Sequence, residues 1–364
     1  MRNPTKSALQ RRKQVYQDGK ILVSSFVGSV QQQDLDKTKG NIKGAVEDYF
    51  RVKSNIKPEP WQKYKESGDP KLLMFDFNWW PIPTLGTDDA KREPENWNNQ
   101  FIYQLKGCNI ACKFCFVDRY NNNGKLSHGA KYFKVSELVD NFLRVREEKA
   151  SEGIRINVLR ASGGEPSLVL EQWLQMLQHV EKRDLSDEVY VMSDTNLTTG
   201  SALESWMKNK EIDPGILKEI ACYDNFGLLS CFKGTDSKNF VENTGCSPSY
   251  FPEQVASYLM FAEAGIRIYP HVINPDSDTF EGFMNSLEAN LGEDIWKMMH
   301  IFTIGPYGPV AKRYGDQLEA QVAEWQKNYA RGEEILDRNL KNRFGVGYKE
   351  SSRPEVLEGM LSKL

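Results

Sequence analysis

Through the middle of the chain, short apolar runs alternate with stretches of helical period. Six runs read as strands, at residues 101–106, 155–160, 188–193, 226–232, 266–273 and 298–304. Each is short, rich in β-branched or aromatic side chains, and bounded by polar residues or glycine. Between them, Leu170, Trp173, Leu174 and Leu177 recur at i, i+3, i+4 and i+7, which lines one face of a helix. Leu138, Val139, Phe142 and Leu143 make a similar face behind Ser136, a residue suited to an N-cap. Asp213 before Pro214 marks another helix start. Asp278 with Glu281 reads as a capping box ahead of Phe283, Met284 and Leu287. Val255, Tyr258, Leu259 and Ala262 form a face that stops at Gly265, a glycine placed as a helix terminator. Strands and helices in strict alternation imply a parallel sheet with helices outside it.

The flanks follow a different pattern. Residues 1–20 are polar and basic, 21–30 form an apolar run fit for a strand, and 37–43 read as a solvated turn. From Pro58 onward come Trp61, Phe75, Phe77, Trp79 and Trp80 with Pro81 and Pro83, too much apolar surface for a linker. Residues 1–97 are therefore expected to form an extension packed on the core, and 98–305 the core itself. Residues 306–364 are expected to be a C-terminal helical segment. Gly305-Pro306-Tyr307-Gly308-Pro309 makes a stiff turn at the rim, and 316–341 a helix through Leu318, Val322, Trp325, Tyr329 and Leu336, with Gly332 its weak point.

With 364 residues, 40% hydrophobic and 27% charged, the chain is long enough for one large core or two ordinary ones. A net charge of −3 argues against an extended nucleic-acid surface. No apolar run is long enough to span a bilayer. The basic start (Arg11, Arg12, Lys13) is not followed by the apolar region of a signal peptide.

The chemistry concentrates in Gly107-Cys108-Asn109-Ile110-Ala111-Cys112-Lys113-Phe114-Cys115, directly after the first core strand. Three thiols spaced C-x3-C-x2-C can converge from one loop. Without a fourth ligand nearby they leave a coordination position open. A zinc ion with a distant fourth ligand is the alternative. The other thiols, Cys222, Cys231 and Cys246, are scattered and read as buried residues, not as a second cluster. A second motif, Ala161-Ser162-Gly163-Gly164-Glu165-Pro166, ends the second strand. Its paired glycines allow a ligand close to the backbone, and the carboxylate after them can meet an ammonium group.

These two motifs, about fifty residues apart, resemble the radical S-adenosylmethionine (radical SAM) superfamily over roughly residues 100–305, with Phe114 matching its usual aromatic. The resemblance implies a partial (β/α)6 TIM-type barrel of the α/β class, with chemistry at the C-terminal strand ends. It implies a [4Fe-4S] cluster on Cys108, Cys112 and Cys115. SAM would chelate the open iron, its amino end near Ser162, Gly163, Gly164 and Glu165. Reductive cleavage then gives a 5′-deoxyadenosyl radical that abstracts hydrogen from a small-molecule, peptide or protein substrate. A flavodoxin- or ferredoxin-type electron donor and a reducing cytoplasm are implied as well.

Locally, Asp194-Thr195-Asn196 is similar to the Asp-Thr-Asn-Gly of activating enzymes for glycyl-radical enzymes, with Leu197 in place of glycine. There the acid and threonine approach the SAM carboxylate, partly through a monovalent cation. Lys233 matches the lysine of their Asp-x-Lys strand, which helps fix SAM, although Cys231 stands where aspartate is usual. An activase acting on a partner protein is thus one alternative, and a non-enzymatic cluster- or zinc-binding module another. His271 on the fifth strand is a candidate acid/base or substrate contact beside Lys233. Arg160, just before the glycines, reads as a partner for an anionic substrate group or a barrel carboxylate.

Overall fold

A computed structural model describes residues 1–32, 48–54, 99–127 and 129–348. Expectations for 37–43 and for the aromatic stretch after Pro58 lie outside them. The core is one seven-stranded sheet in the order β10-β9-β8-β7-β6-β4-β3. Its strands are β3 (Phe50–Ser54), β4 (Asn99–Gln104), β6 (Ile156–Ser162), β7 (Tyr190–Thr195), β8 (Phe226–Phe232), β9 (Ile268–Ile273) and β10 (His300–Phe302). From β4 to β10 every neighbouring pair is parallel, so the six expected strands are all present. A smaller sheet joins β1 (Tyr16–Gln17), β2 (Lys20–Val23) and β5 (Lys131–Lys134).

The seventh strand is not among those the apolar pattern predicts. β3 comes from the N-terminal region and pairs antiparallel with β4, Arg51 opposite Ile102 and Val52 opposite Phe101. Its reading Phe-Arg-Val-Lys-Ser alternates apolar and charged positions. It lacks the continuous apolar run of a parallel core strand, whose two faces are both covered. Val52 and Phe50 pack outward with Phe101, and Phe101 meets Phe142 of the helix Val135–Ala150 edge to face. Arg51 takes the opposite, inner face.

Helix ends also shift from the sequence reading. The helix Ser277–Leu291 is capped by Asp276, whose carboxylate accepts from the Asp278 amide at 2.9 Å. Asp278 instead meets Arg331 at 3.0 Å. Helix Val135–Ala150 starts one residue before Ser136, and Asp213 supports only a turn, accepting from the Gly215 amide before helix Ile216–Ala221. Gly265 has the expected left-handed backbone (φ 87°) after helix Phe251–Glu263.

Gly332 sits inside the long helix Leu318–Phe344, where a Cβ would come within 2.7 Å of the Ile301 side chain. Its glycine is what lets this helix lie close on β10. None of the described helices is long and apolar enough to cross a membrane.

Candidate metal and cofactor site

At the C-terminal ends of the parallel strands, one pocket is lined by Cys108, Cys112 and Cys115, by Gly163, Gly164 and Glu165, and by Asp194, Thr195 and Asn196. Phe114, Cys231 and Lys233 complete the part of its wall that bears on chemistry. The loop after β4, the turn after β6 and the ends of β7 and β8 thus converge, as the strand assignment predicted. Two expected site residues take other places. Ser162 is buried and donates to Asp194 Oδ2 at 2.6 Å. His271 lies within β9, 3% exposed, its ring stacked on His300 at 5.2 Å and 11° and its Nδ1 3.2 Å from the Tyr269 carbonyl. It is not part of the pocket wall.

The cysteine loop is held from both sides. Arg11, on the helix Pro4–Val15, donates to the Asn123 carbonyl, and a Cβ on Gly107 would reach within 2.5 Å of Val15. Arg313, on helix Gly308–Tyr314, donates to the carbonyls of Cys115 and Val117. Neither arginine stands out in sequence, because each acts through a backbone carbonyl far away in the chain. Among the described residues, no three His, Cys, Asp or Glu side chains converge closely enough for one metal ion. A single zinc needs such convergence in one tetrahedron. A [4Fe-4S] cluster takes its thiolates on separate irons, and the three thiols line one pocket with a position left open beside them. Burial pushes the Cys108 thiol well up, with Glu165 adding to the effect, and burial pushes Cys112 up to about 12. Thiols in such surroundings ionise when a metal replaces the proton, so loading the site releases protons.

The two glycines are required by shape. Gly163 and Gly164 have φ of 62° and 58°. A Cβ on Gly164 would stand 2.2 Å from the Leu105 carbonyl and 2.4 Å from that of Gly107. The turn therefore presses its backbone on the cysteine loop, and the Glu165 amide donates to Gly107 at 2.6 Å.

The Glu165 carboxylate is buried and already engaged. Oε1 accepts from the Ser167 hydroxyl at 2.6 Å, and Oε2 accepts from the Asn196 amide at 2.7 Å. Burial pushes its carboxyl up, against the opposing pull of these bonds. Asp194 is engaged likewise: Oδ1 accepts from Arg160 Nε at 3.0 Å and from its terminal nitrogen at 2.6 Å. Arg160 also donates to Gln100 at 3.0 Å. The Arg160–Asp194 pair is the barrel-carboxylate pairing expected for Arg160, whereas the bond from the Asn196 amide to Glu165 could not be read from either motif.

Asn196 is the most heavily used of the group. Its side-chain nitrogen donates to Asn109 at 2.9 Å and reaches Cys108 Sγ at 3.6 Å, while its oxygen accepts from the Thr198 amide. It supports the cysteine loop from the pocket wall. Lys233 is the contrast. Its ammonium makes no ion pair among the described residues and lies 5.9 Å from the Phe114 ring centre. Burial alone would lower it, but Cys231, Cys112, Cys115 and Glu165 outweigh that and raise it.

Leu197, in place of the motif's glycine, keeps a left-handed backbone (φ 61°) while its side chain is fully buried. That conformation costs a non-glycine residue roughly 1–2 kcal/mol, whereas losing a buried leucine costs about 2–5 kcal/mol. Leu197→Gly is therefore expected to lower stability by about 1–3 kcal/mol, read as a lower urea midpoint. A more stable variant would show that strain outweighs packing here.

Residues 99–218 match the family model of a 4Fe-4S single cluster domain. No curated protein matches the sequence. Among solved structures, the chain is similar to Streptococcus suis SuiB bound to precursor peptide SuiA (16% identity, TM-score 0.40, 64% of this chain and 46% of that one). It is also similar to native anSMEcpe with bound AdoMet (16%, TM-score 0.36, 66% and 65%). A third is OxsB, a cobalamin-dependent S-adenosylmethionine radical enzyme with aqua-cobalamin bound (10%, TM-score 0.36, 62% and 30%). The chain spans about half the length of the SuiB structures it resembles.

Proposed function

We propose that this protein is a radical SAM enzyme, using a [4Fe-4S] cluster on Cys108, Cys112 and Cys115 to cleave SAM reductively and directing the 5′-deoxyadenosyl radical at a small-molecule or peptide substrate. The observation that carries this reading is the single pocket shared by the three thiols, the Gly163-Gly164 turn and Lys233 at the strand ends. The match of residues 99–218 to a 4Fe-4S domain supports the same metal centre. A flavodoxin- or ferredoxin-type protein is the proposed electron donor.

Each residue has a physical task. Gly163 and Gly164 let the amino-acid end of SAM approach the backbone. Glu165, with an acceptor position left beyond its bonds to Ser167 and Asn196, faces the ammonium. Lys233 faces the carboxylate, since a buried ammonium without a carboxylate partner is costly and a ligand's carboxylate relieves it. Arg160 and Asp194 tie β6 to β7 and keep the floor of the site rigid. Anaerobic reconstitution, reduction and an assay for 5′-deoxyadenosine test the proposal; a loaded, reduced protein that binds SAM and forms none would overturn it.

Lys233→Met is expected to weaken SAM binding about ten- to hundredfold, the worth of a charge-assisted bond, with iron content unchanged. Cluster spectroscopy during a SAM titration reads this directly. Glu165→Gln is expected to act less selectively, weakening SAM and also loosening Ser167 and Asn196. Parent-like SAM binding in both variants would remove these two roles.

One observation favours a second reading, an activase for a glycyl-radical partner: Leu197 keeps the glycine-like turn of that subgroup. Cys231 in place of its aspartate weighs against it. A glycyl radical on a co-purified partner, seen by electron paramagnetic resonance, would decide for it.

A further inference from the structure

The inner face of the sheet holds more positive charge than the site described so far uses. We propose that Arg51 anchors a carboxylate or phosphoryl group of the substrate on the inner face of the sheet, so that the substrate is an anion. This rests on the proposed function and names the substrate class of that same site.

The argument begins with register. Arg51 is paired with Ile102, Ile102 with Arg160, and Arg160 with Met192. Directly paired residues share a face of a sheet, and residues two apart on a strand share it too. Arg51, Gln100, Gln104, Arg160 and Asp194 therefore line one surface, opposite the face covered by helix Val135–Ala150.

Charge counting follows. Asp194 is spent on Arg160 and Ser162. Arg160 is spent on Asp194 and Gln100. For Arg51, the charged groups nearby are Arg160, which repels it, and Asp194; Tyr307 is close as well. Its guanidinium lies 5.7 Å from the centre of the Phe26 ring, a cation–π contact that offsets part of the charge. Yet Arg51 Nε is sealed from solvent and makes no hydrogen bond. Burial, then Arg160, bring its pKa down to about 10, so it stays a cation at neutral pH.

The neutral groups beside it are orphaned as well. Gln104 is fully buried, with neither amide atom bonded, and Gln100 Nε2 is also unbonded. Buried polar groups in native proteins are almost always paired, so a cluster of unpaired donors on one face points to a missing acceptor. SAM brings one carboxylate, for which Lys233 stands beside the cysteines. Arg51 is left over, with Gln100 and Gln104 as donors around it, and a planar guanidinium suits a bidentate anion.

The test is calorimetric titration of the reconstituted protein, saturated with SAM, against inorganic phosphate and malonate, with malonamide as the uncharged control. At least one anion is expected to bind and malonamide is not. Arg51→Gln should weaken the anion about tenfold or more while SAM affinity holds, and Arg51→Lys should restore part of it. The proposal is overturned if Arg51→Gln leaves anion binding unchanged, or if malonamide binds as malonate does. It is overturned equally if the anion competes with SAM, which places it at Lys233, or if SAM affinity falls in step in Arg51→Gln, which makes Arg51 a cofactor or folding residue. Failure of the function itself appears separately, as bound SAM that yields no 5′-deoxyadenosine while the calorimetry still reports on Arg51.

Discussion

Replacing Cys108, Cys112 and Cys115 together with alanine is expected to abolish iron binding after anaerobic reconstitution, leaving no charge-transfer absorption. The remaining thiols cannot take over the centre. Cys222 is exposed at the end of helix Ile216–Ala221, and Cys246 is buried against the Thr244 carbonyl. Cys231 shares the pocket, but one thiol does not hold a cluster. The triple variant should still fold, since the loop is fixed by Arg11, Arg313 and the Gly107–Glu165 bond, none of which uses a sulfur. Iron and circular dichroism measured on one sample check both halves of the expectation. About four irons per chain surviving the change would place the cluster elsewhere.

Gly164→Ala is expected to be the most damaging single methyl group in the site. The new carbon would press on two carbonyl oxygens, which are backbone and cannot rotate away. Overpacking costs typically about 1–3 kcal/mol and a left-handed alanine about 1–2 more, so a loss of about 2–5 kcal/mol follows. The bond from the Glu165 amide to Gly107 would open, and iron retention should fall with stability. Gly163→Ala first meets side-chain carbons of the buried Gln104, at 2.6 to 2.9 Å, instead of backbone carbonyls at 2.2 to 2.4 Å, and should cost less. Chemical denaturation of the two variants tests the order; equal losses would mean the turn yields as a whole.

The parts of the fold legible in sequence were those with a strong local signal. Continuous apolar runs such as 226–232 gave the central strands, because a strand covered on both faces has no polar alternation. β3 escaped because Arg51 and Lys53 break its apolar pattern, and its partner β4 lies far along the chain. Capping by Asp276 was missed because Asp278 offered an equally good local pattern, and only the ion pair with Arg331 separates them. In the site, the loop thiols and glycines were readable since their spacing is itself the signal. The tasks of Glu165 and Asn196 were not, because they depend on partners distant in the chain: the Asn196 amide for the first, Asn109 and Cys108 for the second. The pairing of Arg160 with a carboxylate was readable, but not which carboxylate. His271 shows the same limit, as its stacking on His300 depends on the register of β9 with β10.

The grip of Arg313 on the carbonyl of Cys115 bears on biosynthesis. The two residues are 198 positions apart. A ribosome that has just extruded the three cysteines has most of the core strands still to make, and the clamp after them. Domains form as units while the chain emerges from its N-terminal end. Iron and sulfide delivered to this nascent chain would meet a loop braced on one side alone. The centre is therefore expected to be fully braced only once helix Gly308–Tyr314 has emerged and folded back, and the clamp links that helix to an assembly step that the cysteines by themselves do not schedule.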